Sequence, residues 1–275
     1  MPKKKRHNLA FQSALFFFVI FVPVLVIILF VSIQSLRREV RSEANLIEKN
    51  EELLVGFQKT LIANQLSGAL EDIRFLASQV NLASYLSMNF DPLYRQLLIE
   101  DFLSFLERKQ VYGQLRILDL SGMEKLGINY KDGHAMAVRD KNLRPRHTLY
   151  YYKRATELTP GTIYVSRLDL SIDESGEIDP EKPLIRFVTP LVDNRDKVTG
   201  LLILNFLARN IINRVEEAAF ISFGETMLLT PDGFWLYNAE GENEWGFVFP
   251  DGQDRRFSTA YPAVWEAITK MGVCT

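Results

Sequence analysis

The chain has 275 residues, a formal charge of −2 and 47% hydrophobic residues. That balance excludes a basic nucleic-acid binder and a disordered acidic tail, leaving a folded chain with enough apolar surface to bury a core. The single cysteine, Cys274, excludes an internal disulfide and any multi-cysteine metal site. A domain outside the cytoplasm then has to rely on packing, which suits a bacterial periplasm better than eukaryotic secretion.

Residues 1–13 form a basic tail, with Lys3, Lys4, Lys5 and Arg6 ahead of the uncharged stretch ALFFFVIFVPVLVIILFVSI, Ala14 to Ile33. Its roughly 20 residues match the ~30 Å hydrocarbon core of a bilayer and predict a transmembrane helix over 14–34. Pro23 frees one carbonyl mid-span and is expected to kink it. The run is longer than the ~7–15 residues of a signal-peptide core, and VSIQSLRREV offers no small-x-small cleavage site, so an uncleaved anchor fits better than a signal peptide. Arg37, Arg38 and Arg41 follow the span almost as densely as the basic tail precedes it. The short tail resists translocation while long domains cross readily, which predicts a single-pass protein of the bacterial inner membrane with residues after Gln34 in the periplasm.

The remaining chain, about 240 residues, suffices for one large or two small domains. From Ser35 to about Leu86 helix formers dominate, and Val40, Ile47, Leu54 and Leu61 recur every seventh residue with Leu36 and Phe57 between them. Glu43, Asn50 and Asn64 interrupt the seam. A long stalk helix is predicted; a parallel homodimer along it and a stripe that packs on its own domain are both open. Gly68 ends the heptad phase, and Leu70, Ile73, Leu76, Ala77 and Val80 keep an apolar face for docking on a globular body. Asp91 as N-cap and Pro92 at the first position open a second helix that ends near Lys109. Residues 35–109 are thus helical support.

From Gln114 the period becomes that of strands: QLRILDL, a turn at Ser121-Gly122 and MEKLGINY predict a hairpin. A turn at Asp132-Gly133 and a polar segment through Arg146 lead to HTLYYYKRATEL, which reads as a helix. Three strands follow, TIYVSRLDL, PLIRFVTPLV and GLLILNFLA, and a short helix from Asn210 to Ala219 closes a unit over 110–219. Asp173, Glu174, Glu177, Asp179 and Glu181 between the first two strands read as a solvated hairpin tip; they lack the spacing of a calcium loop. Residues 220–275 begin a second unit: TMLLT, the turn Pro231-Asp232-Gly233 and FWLYN make a hairpin, then EWGFVF and a helix, YPAVWEAITK. With about 55 residues it is expected to be an incomplete module, cut short either by a truncated gene or by a partial sequence.

His7, His134 and His147 show no zinc-ligand spacing, and no G-x-S-x-G, P-loop or dinucleotide fingerprint occurs. No enzyme activity, metal, cofactor or nucleic-acid partner is expected within these residues.

The fold class is α+β, helices first and an antiparallel sheet afterwards. That order, with YYYKRATELTPGTIYVSRLDL, the acidic hairpin and KPLIRFVTPLVDNRDKVTGLLILNF over residues 150 to 206, resembles the double-Cache (PDC, PAS-like) extracellular sensor domains of bacterial transmembrane receptors. LLTPDGFWLYN and EWGFVF are similar to the opening of the membrane-proximal module in such receptors. The resemblance implies a membrane-distal PAS-like module that binds a small metabolite between a helix segment and the sheet. It also implies an output part, a histidine kinase, diguanylate cyclase or chemotaxis domain, beyond a second transmembrane helix. An envelope interaction protein or gene fragment without a ligand, and an enzyme whose catalytic domain lies beyond Thr275, remain the alternatives.

Strand register points to a site. A turn centred on Arg195-Asp196 sets Arg186 opposite Asn205 and Val188 opposite Ile203, and a hairpin centred near Gly176 brings Ser166 beside Arg186. A buried guanidinium requires a partner. One is Asp169, as an internal ion pair; the other is the carboxylate of a ligand, of amino-acid or carboxylate class, walled by Tyr150, Tyr151 or Tyr152, with Tyr164 on the neighbouring strand.

Overall fold

The computed structural model describes residues 4–172, 178–193 and 195–270, and the chain divides into two units, residues 1–56 and 57–275. Helix α1, Lys4–Ala77, runs unbroken through Pro23. Its apolar part is long and apolar enough to cross a membrane, and every side chain from Phe16 to Phe21 is exposed, as a lipid-facing surface requires. Leu36, Val40 and Ile47 are exposed as well. Lys3 of the basic tail and Cys274 lie outside the described residues.

Within the second unit, α1 continues past Gly68, where no neighbour crowds the missing Cβ. Ala69, Ile73 and Leu76 turn into the core. The helix does not reach Leu86 as expected: it stops at Ala77, and a separate α2, Val80–Ser87, starts after Gln79 in extended conformation. The break aims Leu82, Tyr85 and Leu86 inward and leaves Val80 exposed, against the expectation for that residue. Asn89 and Phe90 adopt positive φ, and Asp91 Oδ1 accepts from Leu93 N at 2.8 Å to open α3, Pro92–Lys109.

One antiparallel sheet follows, in the order β3-β2-β1-β7-β6-β4 with β5 also paired to β6. Its strands are β1 Tyr112–Asp119, β2 Glu124–Lys131, β3 His134–Ala137, β4 Tyr164–Val165, β5 Asp169–Ile172, β6 Ile178–Val192 and β7 Val198–Leu207. β3 occupies part of the segment expected to be irregular. The strand expected over TIYVSRLDL is split in two, because Ser166 turns its hydroxyl onto backbone groups between β4 and β5. Helix α4 is shorter than expected, Tyr150–Ala155. The acidic hairpin tip, residues 173–177, lies outside the described residues; Asp179 pairs with Lys182 at 2.8 Å.

Alternation along the strands gives the sheet two distinct faces. Leu115, Ile117, Leu126, Phe187, Leu202 and Leu204 face the helices and form the main core with Ile73, Leu98 and Phe102. On the opposite face Leu118, Val188, Leu201 and Ile203 pack with Tyr151, Tyr152 and Ala155 of α4 at one end. At the other end Leu170 and Ile212, the latter on α5, Arg209–Ile221, pack with Leu236 and Trp245. Those two residues belong to a small lobe containing the pair β8 Leu228–Leu229 and β9 Trp235–Tyr237, a 3-10 turn at Gly246–Val248, α6 Phe257–Ala260 and α7 Pro262–Lys270. Between the two apolar patches the sheet face is polar.

Candidate ligand-binding site

The polar part of that face is set by register. Gln114 of β1 lies opposite Asn205 of β7, which lies opposite Arg186 of β6; Arg116 and Val188 flank Ile203 in the next row. Ser166 N donates to Arg186 O at 2.9 Å, and Arg186 N donates back to Ser166 Oγ at 2.9 Å. A cavity of about 280 Å³ opens over this row, bounded by Arg186, Asn205, Tyr150 and Tyr151 on one side and by Arg167 and Phe247 on another. The Arg167 guanidinium lies 4.3 Å from the Phe247 ring centroid, so a loop of the small lobe closes the cavity through a cation–π contact.

Two arginines are buried on this face, and they differ in how well they are satisfied. Arg116 donates to Glu124 Oε1 at 3.1 Å, Leu115 O at 2.9 Å and Ile128 O at 2.6 Å, and also to Asn129 Oδ1. Gly127 makes room for it, since a Cβ there would lie 3.2 Å from Arg116 Cδ. Glu124, only 2% exposed, also accepts from Arg146 Nε at 2.7 Å and Arg144 N at 3.0 Å. Burial lowers the pKa of Arg116, and Glu124 opposes that shift. Arg186 is 7% exposed, yet among the described residues its guanidinium donates one hydrogen bond, from Nη1 to Tyr150 Oη at 3.1 Å. Asp169 Oδ2 lies 3.6 Å from Nη1, an ion pair without a hydrogen bond. The rings of Tyr151 and Tyr150 lie 5.1 and 5.8 Å from the guanidinium carbon. A guanidinium carries five donors. Most of those of Arg186 are available to something else.

Asp169 accepts from Tyr150 Oη at 3.2 Å and from Leu170 N at 2.9 Å. Asn205 donates to Gln114 Oε1 at 2.9 Å, while its own Oδ1 is buried without a partner. Burial raises the phenol pKa of Tyr150 and Tyr151, and the nearby Arg186 charge opposes the rise. Both hydroxyls are therefore neutral donors at ordinary pH.

Of the residues singled out in the sequence, the structure brings Arg186, Asn205, Asp169, Tyr150 and Tyr151 together around the cavity. The other three do not line it, although Ser166 lies beside Arg186 as expected. Tyr152 Oη donates to Leu120 O at 2.8 Å and anchors α4 to the β1–β2 turn. Tyr164 sits opposite Val188 in the apolar patch. Ser166 Oγ is consumed by backbone, donating to Arg167 O at 2.7 Å. Sequence reasoning missed Gln114, Arg116, Glu124 and Arg146, which line the cavity from the β1–β2 side. The polar pair at alternate positions in QLRILDL was the available signal.

An antiparallel sheet with a cavity on one face, preceded along the chain by a helix long and apolar enough to cross a membrane, is the architecture of a sensor domain. The chain belongs to the family of bacterial histidine kinase sensor domains, whose model matches residues 57–273. No curated protein matches the sequence. Among solved structures, the chain is similar to the extracellular domain of the histidine-kinase candidate vpHK1S-Z8, at 20% identity and TM-score 0.68 over 82% of this chain and 80% of that one. It is similar to a domain of a sensory box/GGDEF family candidate from Vibrio parahaemolyticus, at 23% identity and TM-score 0.67 over 80% and 82%. The ligand-binding domain of the Campylobacter jejuni chemoreceptor Tlp3 in complex with L-valine is more distant, at 15% identity and TM-score 0.52 over 69% and 70%. These likenesses are of fold. The domain is a sensor module.

Proposed function

We propose that the cavity binds a small metabolite of the amino-acid or carboxylate class, and that the chain is the input part of a transmembrane receptor acting on a histidine kinase, diguanylate cyclase or chemotaxis output. Arg186 holds the ligand carboxylate, with Tyr150 and Tyr151 as walls. Asp169 and the free Asn205 Oδ1 receive an ammonium group. The observation that carries this reading is the contrast on one sheet face: among the described residues Arg116 has four hydrogen-bond acceptors, whereas Arg186, equally buried, has one. A buried charge with unused donors is costly in the empty protein unless something completes it. The cavity, about 280 Å³, sits at the small end of the ~300–1,000 Å³ typical of ligand sites, which fits a small metabolite. Tlp3 in complex with L-valine is a precedent within the fold. In this reading the N-terminus is cytoplasmic, residues after Gln34 are periplasmic, and the exposed stripe of Leu36, Val40 and Ile47 pairs two copies.

The test is a thermal-shift screen of the full chain in nanodiscs against amino acids and carboxylates, repeated with Arg186→Ala. A hit whose affinity falls by about tenfold or more in the variant supports the assignment. A hit untouched by the substitution removes Arg186 from the site. No hit together with a strongly destabilised variant favours the internal ion pair with Asp169.

A further inference from the structure

We infer that the ligand extends into a second compartment and carries a second anionic group at its far end; the inference rests on the reading of Arg186 above and adds the ligand class. A cavity of about 570 Å³ lies beside the first on the same sheet face, and the two share Gln114, Arg116, Glu124, Arg146 and Asn205 among their lining residues. It is about twice the size of the first, more space than the head group of an amino acid fills.

The charges of this larger compartment sort by partner. Arg116 and Arg146 share Glu124, and Lys182 is paired with Asp179. Lys131 and Arg144 also line it, and among the described residues neither makes an ion pair. Asp132 is the remaining anion among the described residues of the lining. The compartment is therefore positive once its internal pairs are counted out, and it favours a carboxylate over a neutral or cationic group.

The junction supports the same geometry. Asn205 lines both cavities, is 7% exposed, and presents a buried Oδ1 without a partner. An amide oxygen accepts and does not bind an anion, so the group at the junction is a hydrogen-bond donor, and the carboxylate of Asp169 beside the same cavity favours a cationic N–H. A molecule with a carboxylate on Arg186, an ammonium at Asn205 and Asp169, and a second carboxylate toward Lys131 and Arg144 satisfies all three positions. The class is an α-amino acid with a distal carboxylate.

The experiment compares L-norleucine with L-2-aminoadipate, equal in carbon count and differing in the distal carboxylate, by titration calorimetry on the full chain in nanodiscs. L-2-aminoadipate is expected to bind about tenfold more tightly, and the Lys131→Ala/Arg144→Ala double variant to reduce it to the affinity of norleucine. Arg186→Ala should weaken both ligands. Both altered residues are exposed, so the double variant is expected to fold. Equal affinities of the two amino acids in the unaltered protein would overturn the spanning ligand and leave the Arg186 reading intact. If neither amino acid binds, adipate and pimelate serve as probes. Binding lost in both variants upholds the two-anion ligand while removing the ammonium, and no binding overturns it.

Discussion

Replacing Arg116 and Arg186 separately by methionine should have unequal effects on the ligand-free protein, although the two lie on one sheet face and are about equally buried. Arg116→Met removes a guanidinium with four acceptors and leaves Glu124 buried with Arg146 as its remaining cation. Breaking a buried ion pair by removing one partner costs ~3–5 kcal/mol, and the surviving Arg146 contact places this case near the lower value. Arg186→Met removes one hydrogen bond of 3.1 Å and an ion pair of 3.6 Å that is not hydrogen-bonded. Asp169 keeps Tyr150 Oη and Leu170 N, and the methionine is walled by two tyrosine rings. The net cost is about 0–1 kcal/mol, the lost hydrogen bond being offset by relief of a charge buried with few partners. For a domain of this size ~1 kcal/mol shifts Tm by about 2–4 °C, so Arg116→Met should lower Tm by on the order of 10 °C and Arg186→Met by less than about 4 °C. Thermal unfolding of the full chain in nanodiscs, followed by circular dichroism without added ligand, reads both. Equal losses would refute the reasoning, since they would show Arg186 to be as fully satisfied internally as Arg116.

Two other outcomes follow from the packing around the helices and strands. The Tyr85 phenol is pushed up to about 12, chiefly by burial, so the folded state holds its proton where the unfolded chain, near the ordinary value of ~10, has released it. Stability from this group is complete below pH ~10 and falls as pH rises toward about 12; Tyr85→Phe should flatten that alkaline slope in urea titrations, and an unchanged slope would exclude Tyr85 as its source. Gly200→Ala would place a Cβ 2.4 Å from Leu118 O, between β7 and β1, and should cost the upper part of ~1–3 kcal/mol. Gly68→Ala, in open space on α1, should stabilise by ~0.5–1 kcal/mol, and urea midpoints that failed to separate the two variants would contradict the packing.

Local signals carried the element order. Asp91 and Pro92 mark a helix start because a side-chain acceptor and a missing N–H serve the same unpaired turn, and the structure shows that cap. The end of α1 at Ala77 was not legible. Ser78 and Gln79 are ordinary helix residues, and the break is set by the need of Leu82, Tyr85 and Leu86 to reach the same core as Ile73 and Leu76. β3 was missed for a related reason. His134–Ala137 has no alternating apolar pattern, and it becomes a strand because the Asp132-Gly133 turn folds it back along β2 at the sheet edge.

The same division runs through the site. Arg186, Asn205 and Ser166 were placed together because β6 and β7, and β4 and β6, are joined or nearly joined along the chain, so counting outward from a turn gives their register. Gln114 and Arg116 reach the cavity only because β1 lies beside β7, a pairing across about 90 residues that no turn encodes. Glu124 comes to the same face with the β1–β2 hairpin, and there it accepts from Arg116 and Arg146, which removes this nearby carboxylate from competition for Arg186. A sequence can show that two strands share a polar row. Which of the two arginines on that face has the fewer internal acceptors depends on the order of strands in the sheet.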